Sequence, residues 1–600
     1  MTKTEKKITS RADYVFELSW EACNKVGGIF TVLKSKASQM MHFYPNYYFI
    51  GPYFPEKTKG CFEELPTPKK FENAFDQLRE QGIECHFGIW LIHGKPKTIL
   101  IDFQNYWPKV NQIKTDLWEN YGVDSLGTGH DFDEPILWSH VSGVLLEKIE
   151  QSLKKEKIVA HFHEWLSGAG LLYLKKNRSR IATVFTTHAT TLGRTLSGHS
   201  INFYSILDQI NIEKDILKYN IQAKHGIEKN AAQHCDIFTT VSEITAMEAE
   251  QFLGRKPEIL LPNGLDIEKF LTLEEVVVKH RIQRERLKEF LLYYFFPYYA
   301  FDLKNVLFYF IVGRNEFRAK GADIFIKSLG KLNKKLIKDK SKKTIVAFFW
   351  MPTGTKGVKP EILKNKEYFQ DIKDSLEDIS KETERKILST ISSGKNITEK
   401  TLFEKNFLLE IKRKLMKLKA DGLPPLCTHD LINPNDPTIE AFHEASLDNK
   451  KSDKVKVIFY PIYLTGHDSL SNLNYHESIQ SSHLGIFPSF YEPWGYTPLE
   501  AAVLGVGSVT TDLAGFGKFC QNIEKNKNYP GIFILERLNK TDESVVKSLT
   551  EFLYRFSKFN REDRMKNRIQ ARKIASISDW KIFIKNYILA HNKALESKEK

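Results

Sequence analysis

Two glutamates eight residues apart, Glu492 and Glu500, flank the run Pro493-Trp494-Gly495-Tyr496-Thr497-Pro498-Leu499. An apolar run ends near Phe487, a Pro/Gly-rich loop follows, and a helix is expected to open at Thr497. In α/β proteins, ligands bind where a strand's C-terminal end gives way to such a loop and helix. Thr497 is the expected N-cap, Pro498 suits the first helical position, and Glu500 would complete a capping box. The free N–H groups of that helix would point back at the loop, ready for an anion. Glu500 therefore reads as a cap or as a ligand contact. Glu492 reads as a surface carboxylate or as a charge held against a reacting centre.

Other segments offer cations and backbone donors. Gly313-Arg314 follows the apolar run Val306 to Val312, and Lys320 lies six residues after Arg314, so both could reach one diphosphate; a solvated loop is the plainer alternative. His188 and Arg194 occupy the equivalent place after Ile181 to Phe185. Near the start, Lys25 precedes Gly27-Gly28, a glycine pair that forms a tight turn or lets backbone approach a phosphate. Asp131-Phe132-Asp133 is a D-x-D triplet of the kind that can hold a metal, but it lies away from any clear strand end. His161 and His163 have no third ligand at a useful spacing for zinc.

The elements that must carry these residues alternate between strand and helix. Short, nearly all-apolar runs are expected as buried parallel strands at Ile158 to Ala160, Ile181 to Phe185, Asp236 to Val241, Val306 to Val312, Thr344 to Trp350, Val455 to Phe459, Leu484 to Phe487, Gly507 to Thr510 and Ile532 to Leu535. They fall into two groups, which implies two Rossmann-like lobes with a cleft between them. Between Pro352 and Ser452 the pattern turns helical, lysine- and glutamate-rich, with apolar Leu376, Ile379 and Ile387 spaced as in a contact stripe. Six hundred residues suit two large lobes, and 42% hydrophobic with 27% charged residues exclude a wholly disordered or fibrous chain. The longest apolar run, Phe290 to Phe301, contains Pro297 and is too short to span a bilayer. The first residues lack the apolar stretch of a signal peptide, and six scattered cysteines suit a reducing compartment, so a cytoplasmic protein is expected. The net charge of +14 comes mainly from lysines scattered over helices, which does not single out nucleic acid.

Taken together, Tyr491 to Glu500, Val26-Gly27-Gly28-Ile29, Ala160 to Trp165, Thr187-His188-Ala189-Thr190, Leu261-Pro262-Asn263-Gly264-Leu265 and Lys320-Gly321-Ala322-Asp323 resemble the glycogen synthases of animals and fungi. The likeness runs from about residue 13 to 590. It implies an α/β GT-B fold: an N-terminal lobe over 1–272 on the acceptor side, completed by a C-terminal helix at 581–600, and a nucleotide-sugar lobe over 273–580. A mainly helical insertion at 354–449 would serve assembly into a homotetramer. The implied reaction moves glucose from UDP-glucose to the non-reducing 4-hydroxyl of an α-1,4-glucan with retention, without metal or cofactor. On that resemblance Arg314 and Lys320 would hold the leaving diphosphate, Glu492 would face the reacting sugar, and His188 and Arg194 would position it. Lys25, Gly27, Gly28, Trp494, Gly495, Tyr496, Thr497 and Glu500 would complete the UDP-glucose site, and Glu164 would orient the acceptor.

The resemblance further implies a glucose 6-phosphate site at His280, Arg284, His483, Arg564, Arg568 and Arg572, and a glycogenin-like priming partner. No membrane or nucleic-acid partner is expected. The relatives' phosphorylated tails have no clear counterpart, so control by tail phosphorylation is not expected. The alternatives are a GT-B transferase for another nucleotide or acceptor, and a non-catalytic glycogen- or polyanion-binding scaffold.

Overall fold

The computed structural model describes residues 9–270, 273–523 and 526–599. Strands β1 (Tyr14–Leu18), β2 (Tyr47–Pro52), β3 (Phe62–Glu64), β4 (Glu84–Trp90), β5 (Lys97–Asp102), β6 (Ile158–His163), β7 (Ala182–Thr187), β8 (Ile237–Thr240) and β9 (Ile259–Leu260) form one sheet. Its order is β3-β4-β5-β2-β1-β6-β7-β8-β9. All neighbours run parallel except at the edge, where β4 is antiparallel to both β3 and β5. A second sheet, ordered β14-β11-β10-β15-β16-β17, is wholly parallel. It comprises β10 (Val306–Val312), β11 (Thr344–Trp350), β14 (Val455–Phe459), β15 (Leu484–Ile486), β16 (Gly507–Thr511) and β17 (Ile532–Leu535).

Side-chain alternation explains why these strands read as unbroken apolar runs. Leu307, Tyr309 and Ile311 of β10 enter one core, and Val306, Phe308 and Phe310 enter the core on the opposite face. β11 divides the same way, with Ile345, Ala347 and Phe349 on one side and Val346, Phe348 and Trp350 on the other. A strand covered on both faces has no solvent side on which to place polar residues. Each fully buried large side chain contributes about 1.5–3 kcal/mol of transfer free energy, so a single slip in register would be expensive.

The chain's last described helix, Trp580–Glu599, packs against the first sheet rather than the second. Trp580 donates its indole N–H to Ser35 Oγ at 2.8 Å, and Asn586 donates to the Leu260 carbonyl at 3.0 Å. Where the chain crosses between lobes, Leu265 N–H donates to Ser578 O at 3.0 Å and Trp580 N–H returns to Leu265 O at 3.1 Å. The two crossings therefore lie side by side.

The charged segment after β11 begins with a short antiparallel ribbon, β12 (Thr355–Val358) with β13 (His429–Leu431). Between these strands run the helices Pro360–Asp378, Ser380–Ser392, Glu399–Leu402 and Lys405–Leu418. Leu376, Leu388, Ile391, Leu409, Leu415 and Met416 are exposed on this arm, whereas Ile379 and Ile387 are half-buried.

Candidate active site

The C-terminal ends of the two sheets face a cavity of about 690 Å³. From the second lobe, β10 runs into Gly313-Arg314, and a tight turn then leads to the helix Ala322–Lys338. That turn depends on Gly321, whose φ of +74° is left-handed and whose missing Cβ would sit 2.1 Å from the Pro488 carbonyl. The close approach sets Lys320 against the Glu492 loop: Lys320 Nζ lies 2.5 Å from Glu492 Oε2. Both side chains are mostly buried, at 18% and 26% exposure, so the pair is less screened than a surface bridge. Arg314 stands at the cavity wall, 75% exposed, with one nitrogen 3.0 Å from Glu316.

The helix after the Glu492 loop begins two residues earlier than expected, at Tyr496 rather than Pro498, with Gly495 as its N-cap at φ +105°. Thr497 is therefore not the cap, and the expected capping box is absent. Glu500 instead accepts from the Tyr475 hydroxyl at 2.5 Å, which a three-residue spacing rule cannot foresee. Burial raises the Glu500 carboxyl above its ordinary range. Trp494, Gly495, Tyr496 and Thr497 line the cavity, but Glu500 lies off its wall.

The first lobe contributes the loop after β7. Thr190 caps the helix Thr191–Gly198 by accepting from Gly193 N–H at 3.0 Å, and His188 and Arg194 reach the cavity. Glu164 is buried behind that loop and is not on the cavity wall. It accepts the N–H groups of His188 at 2.8 Å and Ala189 at 3.2 Å, so its contact is with the backbone that carries His188. Burial would lower the Arg194 guanidinium, but Glu164, Tyr491, Glu228 and Glu21 together push it above the ordinary range. Burial and the nearby Glu164 in turn push Glu228 up to about 8.

Gly27 and Gly28 line the same cavity, with a difference from expectation. Gly27 N–H already donates to Glu21 Oε2 at 2.8 Å, and so does Phe30 N–H at 2.8 Å. Glu21 thus takes the Gly27 N–H, one of the two glycine donors expected to meet phosphate, together with a first-turn donor of the helix Gly28–Phe43. Lys25 is exposed and outside the cavity wall. Sequence reasoning overlooked Glu21 and gave no role to Asn263, whose Oδ1 is buried at the cavity without a hydrogen-bond partner among the described residues. The available signal was position alone: Asn263 follows β9, as His188 follows β7.

Two metal readings meet specific partners. Asp131 and Asp133 sit in the first turn of the helix His130–Ser152, where Asp131 pairs with Lys224 at 2.5 Å and Asp133 with Lys114 at 3.0 Å. His161 and His163 do acquire a third neighbour, Glu17, because β1 and β6 pair with Glu17 opposite His161. The Lys36 ammonium occupies Glu17 there, and a fixed cation on the carboxylate makes a poor metal cradle.

A separate basic cluster forms where the helix Leu273–Tyr294 (His280, Arg284), His483 before β15, and the helix Arg561–Ser576 (Arg564, Arg568, Arg572) converge. Burial, then Arg284 and Arg564, lowers Arg568 to about 9, and burial with Arg564 lowers Arg284 to about 10. His280 and Arg572 both approach Gly505, just past the helix that starts at the cavity. His280 Nε2 lies 3.2 Å from Leu504 O.

Two parallel-sheet lobes facing across such a cavity define the GT-B glycosyltransferase fold. The catalytic domain of starch synthase IV from Arabidopsis thaliana, solved with ADP and acarbose, shares it at a TM-score of 0.53 and 16% identity, covering 98% of this chain and 100% of that one. Within that class the chain belongs to the glycogen synthase family, whose sequence model matches residues 17–599. It is 38% identical over 587 residues to glycogen [starch] synthase of Dictyostelium discoideum, covering 97% of this chain and 66% of that protein. The mouse liver enzyme is 37% identical over 577 residues, covering 96% of this chain and 82% of its own length. The Neurospora crassa enzyme is 36% identical over 588 residues, covering 97% and 83%.

Proposed function

We propose that the protein is a retaining UDP-glucose:glycogen glucosyltransferase that extends an α-1,4-glucan at its non-reducing 4-hydroxyl. The observation that carries this reading is the Lys320–Glu492 pair at 2.5 Å, set between the lobes beside Arg314. Departure of UDP builds negative charge on the diphosphate while the glucose becomes oxocarbenium-like, so the site needs cations and a carboxylate within one cavity. Lys320 has three N–H donors and can keep Glu492 while meeting a phosphate oxygen. Arg314 offers a planar fork for the same group. Glu492 then offsets positive charge on the sugar, with His188 and Arg194 closing from the other lobe.

A turnover assay with UDP-glucose and glycogen tests the reading. Glucose incorporation is expected and should survive a chelator, because Arg314 and Lys320 supply the charge at the diphosphate. No incorporation would refute the activity. Loss with EDTA that magnesium or manganese restores would refute the metal-free mechanism.

Glucose 6-phosphate is the proposed ligand of the basic cluster. Arg564, Arg568 and Arg572 recur at helical i, i+4 spacing, and such like charges repel by a few tenths of a kcal/mol per pair, roughly, even on an exposed helix. A bound phosphate would relieve this repulsion. The nearby end of the 496–503 helix links the cluster to the cavity. Calorimetry should detect binding, with activity raised by the ligand. An unchanged response after Arg564→Ala with Arg568→Ala would remove the assignment.

The exposed apolar residues of the 360–418 arm support self-association as a tetramer in the cytoplasm. Light scattering on the full chain at micromolar concentration should give a mass well above a monomer, and a monomer would refute it. A glycogenin-like primer protein is the proposed source of the first glucan.

A further inference from the structure

A line of fully buried polar side chains runs from the core of the first lobe to the cavity. Glu17 on β1, Lys36 on the following helix, Tyr47 on β2 and His163 on β6 are all at most 2% exposed. Lys36 Nζ and His163 Nε2 share Glu17 Oε1, the histidine at 2.5 Å, and the Tyr47 hydroxyl donates to Oε2. The other ring nitrogen of His163, Nδ1, lies 2.9 Å from His188 Nε2. His188 is 6% exposed and lines the cavity.

Hydrogen-bond polarity then propagates along the line. An ionised carboxylate only accepts, so His163 must carry its proton on Nε2. Neutral His163 is therefore bare at Nδ1, and His188 must donate from Nε2. Neutral His188 is left with its lone pair on Nδ1. Burial keeps both rings below the ordinary histidine range, with Lys36 acting in the same direction on each. Glu17 is held well below the carboxylate range: burial alone would raise it, but Lys36 and His163 outweigh that. The neighbouring His161 belongs to a different branch, which ends at Thr186, His591 and Tyr44 rather than at the cavity.

We infer that Glu17 and His163 are positioning residues that fix His188 as its Nε2–H tautomer, so that it presents a lone pair on Nδ1 to a hydroxyl of the transferred sugar. The sugar contact rests on the proposed glucosyltransferase activity, but the tautomer does not. A wrong tautomer would offer a proton where the hydroxyl needs an acceptor. Comparable partners behind a functional histidine are worth about 10–100-fold in metal sites, which sets the scale here.

Neutron diffraction from deuterium-exchanged crystals of the full chain reads the tautomers directly, whether or not the protein turns over UDP-glucose. Deuterons are expected on Nε2 of His163 and His188, with both Nδ1 atoms bare; a deuteron on Nδ1 of either ring overturns the inference. A kinetic cycle reads the consequence. His163→Phe should lower kcat about 10–100-fold with little change in KM for UDP-glucose. The double variant with His188→Ala should be no slower than His188→Ala alone, since His163 acts only through His188. Losses that multiply in the double variant, or wild-type kcat in His163→Phe, overturn the positioning role. Absence of turnover in the wild type overturns the glucosyltransferase reading and the sugar contact with it, and the neutron result still decides the tautomer.

Discussion

Glu492→Gln is expected to lower kcat by at least ~100-fold while leaving the fold intact. The substitution preserves size, and the backbone at this position is held independently: Gly515 N–H donates to Glu492 O at 3.0 Å, and residue 492 bridges to Ala514. What is lost is the negative charge opposite Lys320 and its attraction for positive charge developing on the sugar. A neutral amide also leaves Lys320 without its ionic partner at 2.5 Å, so the ammonium is free to shift toward the diphosphate. Binding of UDP-glucose should therefore weaken far less than turnover. Initial rates with UDP-glucose and glycogen, alongside circular dichroism, provide the check. Near-normal turnover in a folded variant would remove Glu492 from the site.

Lys36→Met should be the most damaging substitution for stability, at about 3–5 kcal/mol, because it leaves Glu17 as an uncompensated buried charge. Lys36 and Glu17 are both fully buried, and β1 lies at the centre of the first sheet, between β2 and β6. Replacing both partners, Lys36→Met with Glu17→Gln, should recover part of the loss, since a neutral amide is far cheaper to bury than a carboxylate. The pH dependence has a definite sign. Glu17 titrates well below its unfolded value in the native state, so its contribution is fully present above about pH 4.3 and is lost as the pH falls through the lower, native value. Urea denaturation of the wild type and the two variants from neutral pH down to about pH 2 measures both effects. A Lys36→Met variant as stable as the wild type would contradict the buried-pair account.

The strands of the second lobe were legible because burial on both faces leaves little room for polar residues: Val306–Val312, Thr344–Trp350 and Val455–Phe459 fall where the apolar runs lie, with Thr344 and Lys456 as exceptions. Loop-borne candidates such as Arg314, Lys320, Glu492, His188 and Arg194 were legible for a related reason, since each follows a strand whose end is easy to find. What local patterns could not show were bonds between distant elements. Glu500 looked like a cap because Thr497 lies three residues before it, yet its partner is Tyr475, from a different helix. Gly27 looked like a phosphate donor, yet Glu21 folds back onto it. Glu17 did leave a trace, a lone carboxylate within Tyr14-Val15-Phe16-Glu17-Leu18, but its cation and its two histidine neighbours come from elements that sequence spacing does not connect.

The return of the final helix to the first sheet has a consequence for how the protein is made. Trp580, Phe583, Ile584, Tyr587 and Ile588 complete a core that also contains Val15, Leu33, Met40 and Val184. On the ribosome, the partners of these apolar residues emerge early, while the helix that covers them emerges only after the second lobe. At about 5–20 residues per second, the uncovered face persists for tens of seconds while the whole second lobe is synthesised. Throughout that interval the nascent chain presents a greasy, unfinished surface, the kind that holding chaperones recognise. The lobe that is translated first is thus the last to be finished.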